Sequence, residues 1–571
     1  MRHEKGGKGC AGLLFLLLLL GMLGLARAAA PEIRFCWTVD GSEVSVTMQE
    51  KKGRIWNLYL PGALAGQEPV IRVDQDVDVI WDGRTYASGS TLPLSQYIGK
   101  EAEVSFSNNR PVGTVRVMQG SAIPSLYFTV DPDDFRRVNQ STKGDIRKEA
   151  SFVMISGKGR LNAAERLTSF KTRGNSTFFA SKKAFQFKME NKVNLDGMGK
   201  GKTWILLANW FDISLIRNQI TFDLCREIGL RGTPDCRQVD LYLNGSYNGT
   251  YLLCEKIQLK SGRLDITDME EELEALNGGK EALEKAPLRK ATRVARIIKW
   301  FDVKNEPADV TGGFLLEIEK ALQFSLMKND AGFVTEQGMC VVVKEPTKCG
   351  YEEMKYIAAL VNDFDNAVVA KSGVSKKTGR SYSSYIDMRS FALKVTIEEL
   401  TANYDVRAAS QFLYKDSDKV DGRLYAGPAW DYDLAFGNKK GDGMLNPLRK
   451  NYVYRRSSNT AYLYHYLLIH EDFQMITRQL YDEVFLPAVE VLLGKREPAA
   501  GSGLKSIERY RAEISDSAAM NFVRWSAPSI PDVDARSGLT FDDAVDYVKK
   551  WVEVRSGMMT ECWLLEPQNS K

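Results

Sequence analysis

Residues 239–256 read Val-Asp-Leu-Tyr-Leu-Asn-Gly-Ser-Tyr-Asn-Gly-Thr-Tyr-Leu-Leu-Cys-Glu-Lys. Two runs rich in apolar and aromatic residues flank the dipeptide Asn244-Gly245. Asn-Gly between such runs is a strong short-range signal for a β-hairpin, because a tight hairpin turn needs residues that accept a positive φ. The stretch therefore predicts two antiparallel strands joined by a two-residue turn.

A helix is predicted just before this hairpin. Apolar residues recur every fourth position from Ile216 to Ile228, which is the spacing of one helix face. Asp212 and Ser214 precede the run as possible N-caps, and Gly229 follows it as a stop signal. Strand and helix signals thus alternate here, as expected for an α+β fold.

The same mixture continues after the hairpin. Residues 312–319 are predicted to form a strand, and residues 390–400 a helix. The chain beyond Ala461 is predicted to be mostly helical, ending with the segment 543–558. We therefore expect an α+β domain over residues 123–565 with helices towards its C-terminus.

A strand is also predicted upstream, where apolar residues alternate with polar ones over 185–189. Lys183 is in phase with the apolar residues and is predicted to point inward, while Lys182 points away. An inward lysine needs an anion, which a nucleotide phosphate or a carboxylate such as Glu255 or Glu317 would supply. Alternatively, its stem packs on the core and its ammonium group reaches solvent.

Residues 31–122 differ from the rest because short β-rich runs alternate with turns such as Asp40-Gly41 and Asp82-Gly83. This pattern predicts a small all-β, sandwich-like domain. It contains no catalytic grouping, so we interpret it as a binding or spacer module.

An insertion is predicted at 266–310. Its central stretch, 269–299, begins acidic and helical and then becomes basic. A basic amphipathic helix would contact a partner or a membrane, but a solvated charged face is the favoured interpretation.

The N-terminus has the layout of a secretory signal peptide over residues 1–28. Arg2, Lys5 and Lys8 precede an apolar run over 13–25, and Ala26-Arg27-Ala28 offers a cleavage site. The apolar run is shorter than the roughly 20 residues of a spanning helix, which disfavours an anchor. We expect a secreted or cell-surface protein with no transmembrane segment after cleavage.

The amino-acid composition limits which partners and reactive groups are expected. The net charge of +4 arises from 77 basic and 73 acidic residues, so nothing favours nucleic acid as a partner. Three His residues and scattered Cys residues without C-x-x-C spacing argue against His catalysis and a zinc cluster. Cys340 and Cys349 are the nearest candidates for a disulfide in an exported chain, and the other cysteines are interpreted largely as buried thiols. Carboxylates and lysines remain as the reactive groups.

Two short motifs contain such groups. The turn Arg173-Gly-Asn-Ser176-Thr has a composition suited to holding phosphate, although many turns share it. Asp431 and Asp433 are two residues apart and share one side of an extended segment, where Mg²⁺ would find one or two carboxylates. Asp405 follows the 390–400 helix in a loop that can reach into a cleft. Any one of these Asp residues alone is more often a cap or turn residue.

Taken in order, these pieces resemble the spore coat CotH kinase family, which has an atypical protein-kinase-like fold. The resemblance rests on the following sequences: Arg173-Gly-Asn-Ser-Thr with Lys182-Lys183, Asp212-Ile-Ser-Leu-Ile-Arg-Asn218, the hairpin 239–256, Gly312-Gly-Phe-Leu-Leu-Glu317, Tyr385-Ile-Asp387, and Trp430-Asp-Tyr-Asp-Leu-Ala-Phe-Gly437.

The resemblance implies transfer of the ATP γ-phosphate to a Ser or Thr hydroxyl of a protein substrate. It places the turn at 173–177 and Lys183 on the phosphates, with Glu255 or Glu317 orienting Lys183. It places Asp431 and Asp433 on Mg²⁺ or Mn²⁺, and Asp405 near the attacking hydroxyl. The family usually has an Asn six residues after the loop Asp to support the metal, and this chain has Gln411 there.

Two alternatives stay open. The first is a non-catalytic extracellular or cell-surface protein that uses the kinase-like scaffold to bind another protein or a glycan. The second is glycoside hydrolysis by Asp405 and Asp431, which has the carboxylates but no other support.

Overall fold

The structure is a computed structural model that describes residues 31–140, 145–146, 150–174, 177–292, 297–407, 410–439, 446–449, 462–526 and 539–565. The predicted signal peptide and Ser176 lie outside the described residues. The described chain divides into two compact units. One contains residues 31–37, Ser45–Leu58 and Glu68–Val117, and the other contains Thr38–Val44, Tyr59–Gln67 and the chain from Met118 onwards.

The N-terminal strands form two antiparallel sheets. A three-stranded sheet has the order β2-β1-β5, and a six-stranded sheet has the order β3-β4-β9-β8-β6-β7. Phe35 and Trp81 bring the two sheets into contact, with ring centroids 5.9 Å apart. The strands are β1 (Ile33–Val39), β2 (Ser42–Thr47), β3 (Gln49–Lys52), β4 (Ile55–Leu60), β5 (Val70–Val73), β6 (Val79–Trp81), β7 (Arg84–Tyr86), β8 (Glu101–Phe106) and β9 (Pro111–Gln119).

A closed barrel follows, with the strand order β10-β11-β12-β13-β14-β16-β15. Its strands are β10 (Ser125–Thr129), β11 (Ser151–Ile155), β12 (Leu161–Arg173), β13 (Ala184–Asn194), β14 (Lys200–Leu207), β15 (Cys236–Leu243) and β16 (Ser246–Glu255). Neighbouring strands are antiparallel except for β10 and β15, which are parallel and close the barrel.

The predicted hairpin is confirmed. β15 and β16 pair from Cys236↔Cys254 to Leu243↔Ser246, and Asn244 takes a φ of 48° with Gly245 at 81°. The Asn244 side chain also bonds to the backbone of Val130, which ties the turn to the end of β10. The barrel interior is aromatic, and the Phe128 ring lies 5.1 Å from Phe187.

A second, seven-stranded antiparallel sheet has the order β17-β18-β20-β21-β19-β22-β23. Its strands are β17 (Leu288–Ala291), β18 (Ile297–Phe301), β19 (Phe314–Glu319), β20 (Gly332–Val334), β21 (Cys340–Glu345), β22 (Gln411–Lys415) and β23 (Leu424–Ala426). The basic half of the predicted insertion supplies β17 and β18, so the interpretation as a basic amphipathic helix is wrong. Lys290 pairs with Lys299 across these two strands, and the stretch thus extends the sheet.

The helices pack on this sheet and on the barrel and complete the larger unit. They are α1 (Pro132–Asn139), α2 (Arg217–Glu227), α3 (Glu270–Leu276), α4 (Lys280–Leu283), α5 (Ala321–Leu326), α6 (Tyr351–Val369), α7 (Met388–Thr401), α8 (Tyr462–Leu467), α9 (Glu471–Leu480), α10 (Leu486–Leu492), α11 (Ile507–Arg524) and α12 (Phe541–Thr560). The helices predicted at 216–228, 390–400 and 543–558 are therefore confirmed as α2, α7 and α12. The fold is α+β, and no helix among the described residues is long and apolar enough to cross a membrane.

Helix α7 lies in the middle of the larger unit. The Asp387 side chain caps it by accepting from the Ser390 amide at 2.8 Å. Nearly every residue from Ser390 to Thr401 is buried, on all faces of the helix, so α7 is a central core helix that requires internal partners for its charged residues. Two partners at its C-terminal end, Trp551 and Arg555, also fix the position of the loop that follows α7.

Cys340 and Cys349 are both thiols in the structure. Cys340 starts β21 and its Sγ contacts the Gly338 carbonyl, whereas the Cys349 Sγ contacts the Gly350 carbonyl. The structure thus contains no disulfide between Cys340 and Cys349, in contrast to the sequence-based candidate.

Candidate active site

The C-terminal end of α7 holds the loop that contains Asp405. Ala402 follows the helix with a left-handed φ of 45° and turns the chain. The Trp551 indole donates to the Leu400 carbonyl at 2.9 Å, and Arg555 donates to both the Glu399 carbonyl and its carboxylate. Helix α12 therefore satisfies the last carbonyls of α7 and fixes the start of the Asp405 loop.

The segment Trp430–Asp433 runs beside this loop. Tyr432 is fully buried, and its amide donates to the Asn218 Oδ1 at 2.7 Å while its hydroxyl donates to Glu398 at 2.8 Å. Asp431 has a left-handed φ of 68°, a conformation that Asp tolerates better than most residues. Fixing Tyr432 in the core fixes the two flanking carboxylates as well.

Asp405, Asp431 and Asp433 lie close enough to influence one another's ionisation. Burial followed by the Asp431 charge raises the pKa of Asp405 to about 7. Burial raises the pKa of Asp431 despite nearby Arg173, and burial with the two neighbouring carboxylates raises that of Asp433 well above its ordinary value. Like charges in a poorly hydrated site repel, and a cation would relieve this repulsion.

Ser410 connects Asp431 to a second group of charges. Its hydroxyl donates to the Asp431 Oδ2 at 3.4 Å, and its amide donates to the Glu317 Oε1 at 3.2 Å. The other Glu317 oxygen pairs with the Lys344 Nζ at 3.1 Å. Burial alone would lower the pKa of Lys344, but the Glu317 charge outweighs it and the pKa is raised. Lys344 is thus a fixed cation on the same side of the sheet as Asp431.

Arg173 is a barrel residue that lies near Asp431 and Glu317. It ends β12, and its guanidinium lies over the Trp430 ring at 5.2 Å from the centroid. Burial lowers the pKa of Arg173, and the charges of Asp431 and Glu317 act in the opposite direction. Arg173 therefore faces the carboxylates from the barrel side.

Lys256 is a further cation at this junction. Burial lowers its pKa, the Glu345 charge opposes this effect, and the charges of Lys171, Arg173 and Lys344 add to it. Lys171, Arg173 and Lys344 thus all lie within electrostatic reach of Lys256, beside Glu345. Such convergence of cations is disfavoured unless an anion binds among them.

A charged cavity of about 1060 Å³ adjoins Lys256 and Glu345. The barrel contributes lysines to one wall, among them Lys188 and Lys202, and α3 contributes glutamates to another. Burial lowers the pKa of Lys188, and the neighbouring Lys280 and Lys202 charges lower it further. This volume lies just above the roughly 300–1,000 Å³ typical of ligand pockets.

The prediction that Lys183 points inward and Lys182 outward is wrong. Lys182 is the buried lysine, 1% exposed, and its Nζ donates to the carbonyls of Ala208 and Thr250. The Lys183 Nζ donates to the Phe178 carbonyl and is half-buried. The physical reason is that β13 begins only at Ala184, so the alternation of the strand does not extend to the two lysines.

Neither predicted partner orients Lys183. The Glu255 Oε1 lies 3.3 Å from the Arg263 Nε, and Glu317 pairs with Lys344. The structure therefore brings Glu317 to the carboxylate group but places Glu255 with Arg263.

Gln411 does not face the carboxylates. It is fully buried in β22, and its Oε1 accepts from the Tyr464 hydroxyl at 3.1 Å. Its neighbour Ser410 is the residue that contacts Asp431. The predicted role of Gln411 in supporting a metal therefore needs correction, because side chains alternate along a strand and a shift of one residue reverses the face.

The sequence analysis missed Lys344, Lys256 and Ser410. Lys344 could have been found, since it breaks the apolar run Cys340-Val-Val-Val in phase with the buried Val342. Ser410 gave no chemical signal of its own, because a lone serine before a strand is common in any protein.

The carboxylates fit a divalent cation of the magnesium type. Within the described residues, no group of three or more His, Cys, Asp or Glu side chains is arranged to hold a metal ion. Mg²⁺ nevertheless needs only one or two protein carboxylates when substrate phosphates and waters complete its shell. Asp431 and Asp433 could supply those oxygens; burial raises the pKa of both, and the neighbouring carboxylates raise that of Asp433 further.

Comparison with known proteins gives a family match that spans the site. A family model described as CotH kinase protein matches residues 170–559, from just before Arg173 to the end of α12. No match was found among curated proteins. Because the family model spans most of the chain and includes both halves of the site, this protein belongs to the CotH kinase family.

Proposed function

We propose that this protein is an exported, metal-dependent protein kinase with an atypical kinase-like fold, which transfers the ATP γ-phosphate to Ser or Thr hydroxyls of proteins. The observation that carries the proposal is the link Asp431–Ser410–Glu317–Lys344, which joins a carboxylate group to a cation group. Phosphoryl transfer needs both charges together, because phosphates require cations while the metal requires carboxylates.

The cations have distinct places around the phosphates. Lys344, held by Glu317, and Arg173, held over Trp430, neutralise phosphate oxygens at the carboxylate end. Lys256 stands between these two and the charged cavity. The nucleoside part of ATP occupies that cavity, whose walls exclude part of the bulk solvent.

Asp431 and Asp433 would hold the metal ion, and Ser410 orients the Asp431 carboxylate. When bound, Mg²⁺ or Mn²⁺ neutralises charge on the phosphate oxygens. Asp405 is on a separate loop from the other two carboxylates. It positions the acceptor hydroxyl and takes its proton, which is the role of the loop Asp in kinases.

A second function is favoured by one observation. The hydroxyl of Ser410 stands beside Asp431, where an amide oxygen would be a stronger metal ligand. This contact suits a non-catalytic surface protein that binds a protein or glycan on the same scaffold.

Label transfer separates the two functions. The purified chain is incubated with γ-labelled ATP, Mg²⁺ or Mn²⁺, and a mixture of dephosphorylated proteins. We expect label on protein Ser or Thr with the wild type, no label with Asp431→Asn, and strongly reduced label with Lys344→Ala. Lys183→Ala is the matched control and should keep its activity. Nucleotide binding without transfer, or no nucleotide binding at all, would favour the binding protein.

Export is tested separately. The full-length chain carrying a C-terminal tag is expressed in its own cell type, and medium, surface and cell fractions are compared. We expect the tagged chain outside the cytoplasm and N-terminal sequencing to begin after Ala28. A cytoplasmic chain that retains its first residues would remove export from the proposal and leave the kinase unaffected.

A further inference from the structure

Two cysteines stand opposite each other in the hairpin of the barrel. Cys236 begins β15 and Cys254 lies near the end of β16, and the register pairs them directly. Both thiols are buried, at 1% and 0% exposure. Of the seven described cysteines, only these two are register partners.

The hydrogen-bond pattern places them in the close type of pair. In an antiparallel ladder, hydrogen-bonded and non-hydrogen-bonded pairs alternate, and Cα atoms approach to about 4.5 Å in the second type. The Glu255 amide donates to the Asp235 carbonyl at 3.2 Å, which makes the adjacent pair the hydrogen-bonded one. The Asp240 amide donates away from β16, to Pro124 on the other side, in keeping with the same alternation.

Both side chains also leave the same face of the sheet. Gln238 is two residues from Cys236 and donates to Gln219 on α2, so this face of β15 is turned towards α2. Val239 and Leu253 belong to the barrel interior instead, whereas Cys236 and Cys254 belong to the core outside it. The two Sγ atoms therefore share one buried space under α2.

We propose that Cys236 and Cys254 form a cross-strand disulfide when this chain folds under oxidising conditions. Disulfides join Cα atoms about 4.4–6.8 Å apart, a range that contains the separation of a non-hydrogen-bonded pair. The bond closes the hairpin at its open end, opposite the Asn244-Gly245 turn. It fixes the end of β16 two residues before Lys256, the cation at the edge of the charged cavity.

The bond forms by exchange with an external disulfide such as oxidised glutathione. One cysteine Sγ attacks the external disulfide as a thiolate and releases one glutathione thiol, leaving a mixed disulfide. The second Sγ attacks the protein sulfur of that mixed disulfide and releases the second glutathione thiol. The two protein thiols lose two electrons and two protons, which reduce one glutathione disulfide. Because both thiols are buried in the folded chain, the exchange precedes the docking of α2.

Mass spectrometry of the full chain tests the proposal. The chain is refolded in a glutathione redox buffer, denatured without reductant, alkylated and digested. We expect one pair of peptides linked through Cys236 and Cys254, lighter by two hydrogen atoms than the free pair, and alkylation of Cys340 and Cys349. Alkylation of both Cys236 and Cys254, or linkage of either one to a different cysteine, would overturn it.

A second measurement does not depend on peptide recovery. The thermal midpoint of the refolded wild type is measured with and without reductant, beside the double variant Cys236→Ala/Cys254→Ala. We expect reductant to lower the wild-type midpoint by several degrees and to leave that of the double variant unchanged. An equal response of the two proteins would contradict the proposal.

Discussion

Two regions of the larger unit bury acidic side chains and treat them differently. On α7, Glu398 is completely buried with Lys394 and accepts from Tyr432, and Glu399 is paired with Arg555. A few residues further on, Asp405, Asp431 and Asp433 face one another, and their pKa values are raised. The first region is closed into ion pairs, whereas in the second the carboxylates repel one another although the charge of Arg173 acts on Asp431.

The difference separates charges that serve folding from charges that serve a ligand. A buried ion pair with well-placed hydrogen bonds is self-sufficient, and removing one partner exposes the other to the full cost of burial. A group of uncompensated carboxylates is unfavourable in the free protein and becomes favourable when a cation binds. Burial of Asp or Glu alone therefore does not identify a site; buried carboxylates that face one another do.

The largest expected effect is on catalysis. Asp431→Asn should reduce phosphoryl transfer about a thousandfold, because an electrostatic contact to the reacting groups is lost. Asn accepts the left-handed backbone at this position, and one repelling charge disappears, so the free energy of unfolding should be unchanged or higher. Label transfer and thermal unfolding check both parts. A destabilised Asp431→Asn chain would show that this carboxylate belongs with the structural ones.

The converse change is on α7. Glu398→Ala leaves the Lys394 ammonium group buried beside the Tyr432 hydroxyl without its carboxylate partner, and should lower the free energy of unfolding by about 3 kcal/mol or more. Urea unfolding followed by tryptophan fluorescence gives the value. Glu490→Ala, which removes an exposed pair with Arg496, is the matched control and should change the stability by less than about 1 kcal/mol. Similar losses of unfolding free energy for the two variants would show that the buried pair contributes no more than the exposed one.

Asp240 is an intermediate case, because its hydrogen-bond partners are hydroxyl groups. Its carboxylate accepts from Tyr247, Thr250 and Ser517, and burial raises its pKa to about 6. A folded-state pKa above the unfolded value means that the folded chain binds the proton more tightly. Its contribution to stability is therefore greatest at low pH and is lost as the pH rises from about 4 to about 6.

Asp240→Asn removes this titration. The wild-type free energy of unfolding should fall by about 2 kcal/mol relative to that of the variant between pH 4 and pH 7. Urea titrations of both proteins across this range measure the difference, and Lys182 is the charged neighbour that also acts on Asp240. A constant difference would mean that Asp240 keeps its ordinary pKa in the folded chain.

The smallest expected effect distinguishes the two lysine assignments. Lys344→Ala should weaken nucleotide binding about tenfold, as expected for one charge-assisted contact. Lys183→Ala should leave binding unchanged, because the Lys183 ammonium group is already bonded to the Phe178 carbonyl. Fluorescent nucleotide titration measures both. The reverse result would support the sequence-based assignment of Lys183 to the phosphates.

The sequence alone predicted strands and helices correctly where neighbouring residues carried the whole signal. The β15–β16 hairpin followed from Asn-Gly, and α2 and α7 followed from apolar spacing and their flanking residues. Asp405, Asp431 and Asp433 were also found, since they lie in loops and extended segments where carboxylates stand out. The structure brings all three together, as the order of the motifs suggested.

The cation side of the site could not be predicted in the same way. Lys183 was chosen by extending strand alternation beyond the first residue of β13, and the true pairing of Glu317 with Lys344 is between strands that are apart in the chain. Register across β19 and β21 decides that pair, and no local pattern in either strand specifies it. The one-residue shift from Gln411 to Ser410 has the same origin.

The position of α12 near the end of the chain determines when the site can form during synthesis. Its Trp551 and Arg555 hold the end of α7, and the Trp551 ring packs against Gly437, just past the Trp430–Asp433 segment. The residues that support the site are therefore translated some 120 positions after Asp431. A nascent chain still attached to the ribosome already has every carboxylate of the site but lacks the helix that aligns them. The three carboxylates are accordingly aligned only after synthesis of this domain is complete.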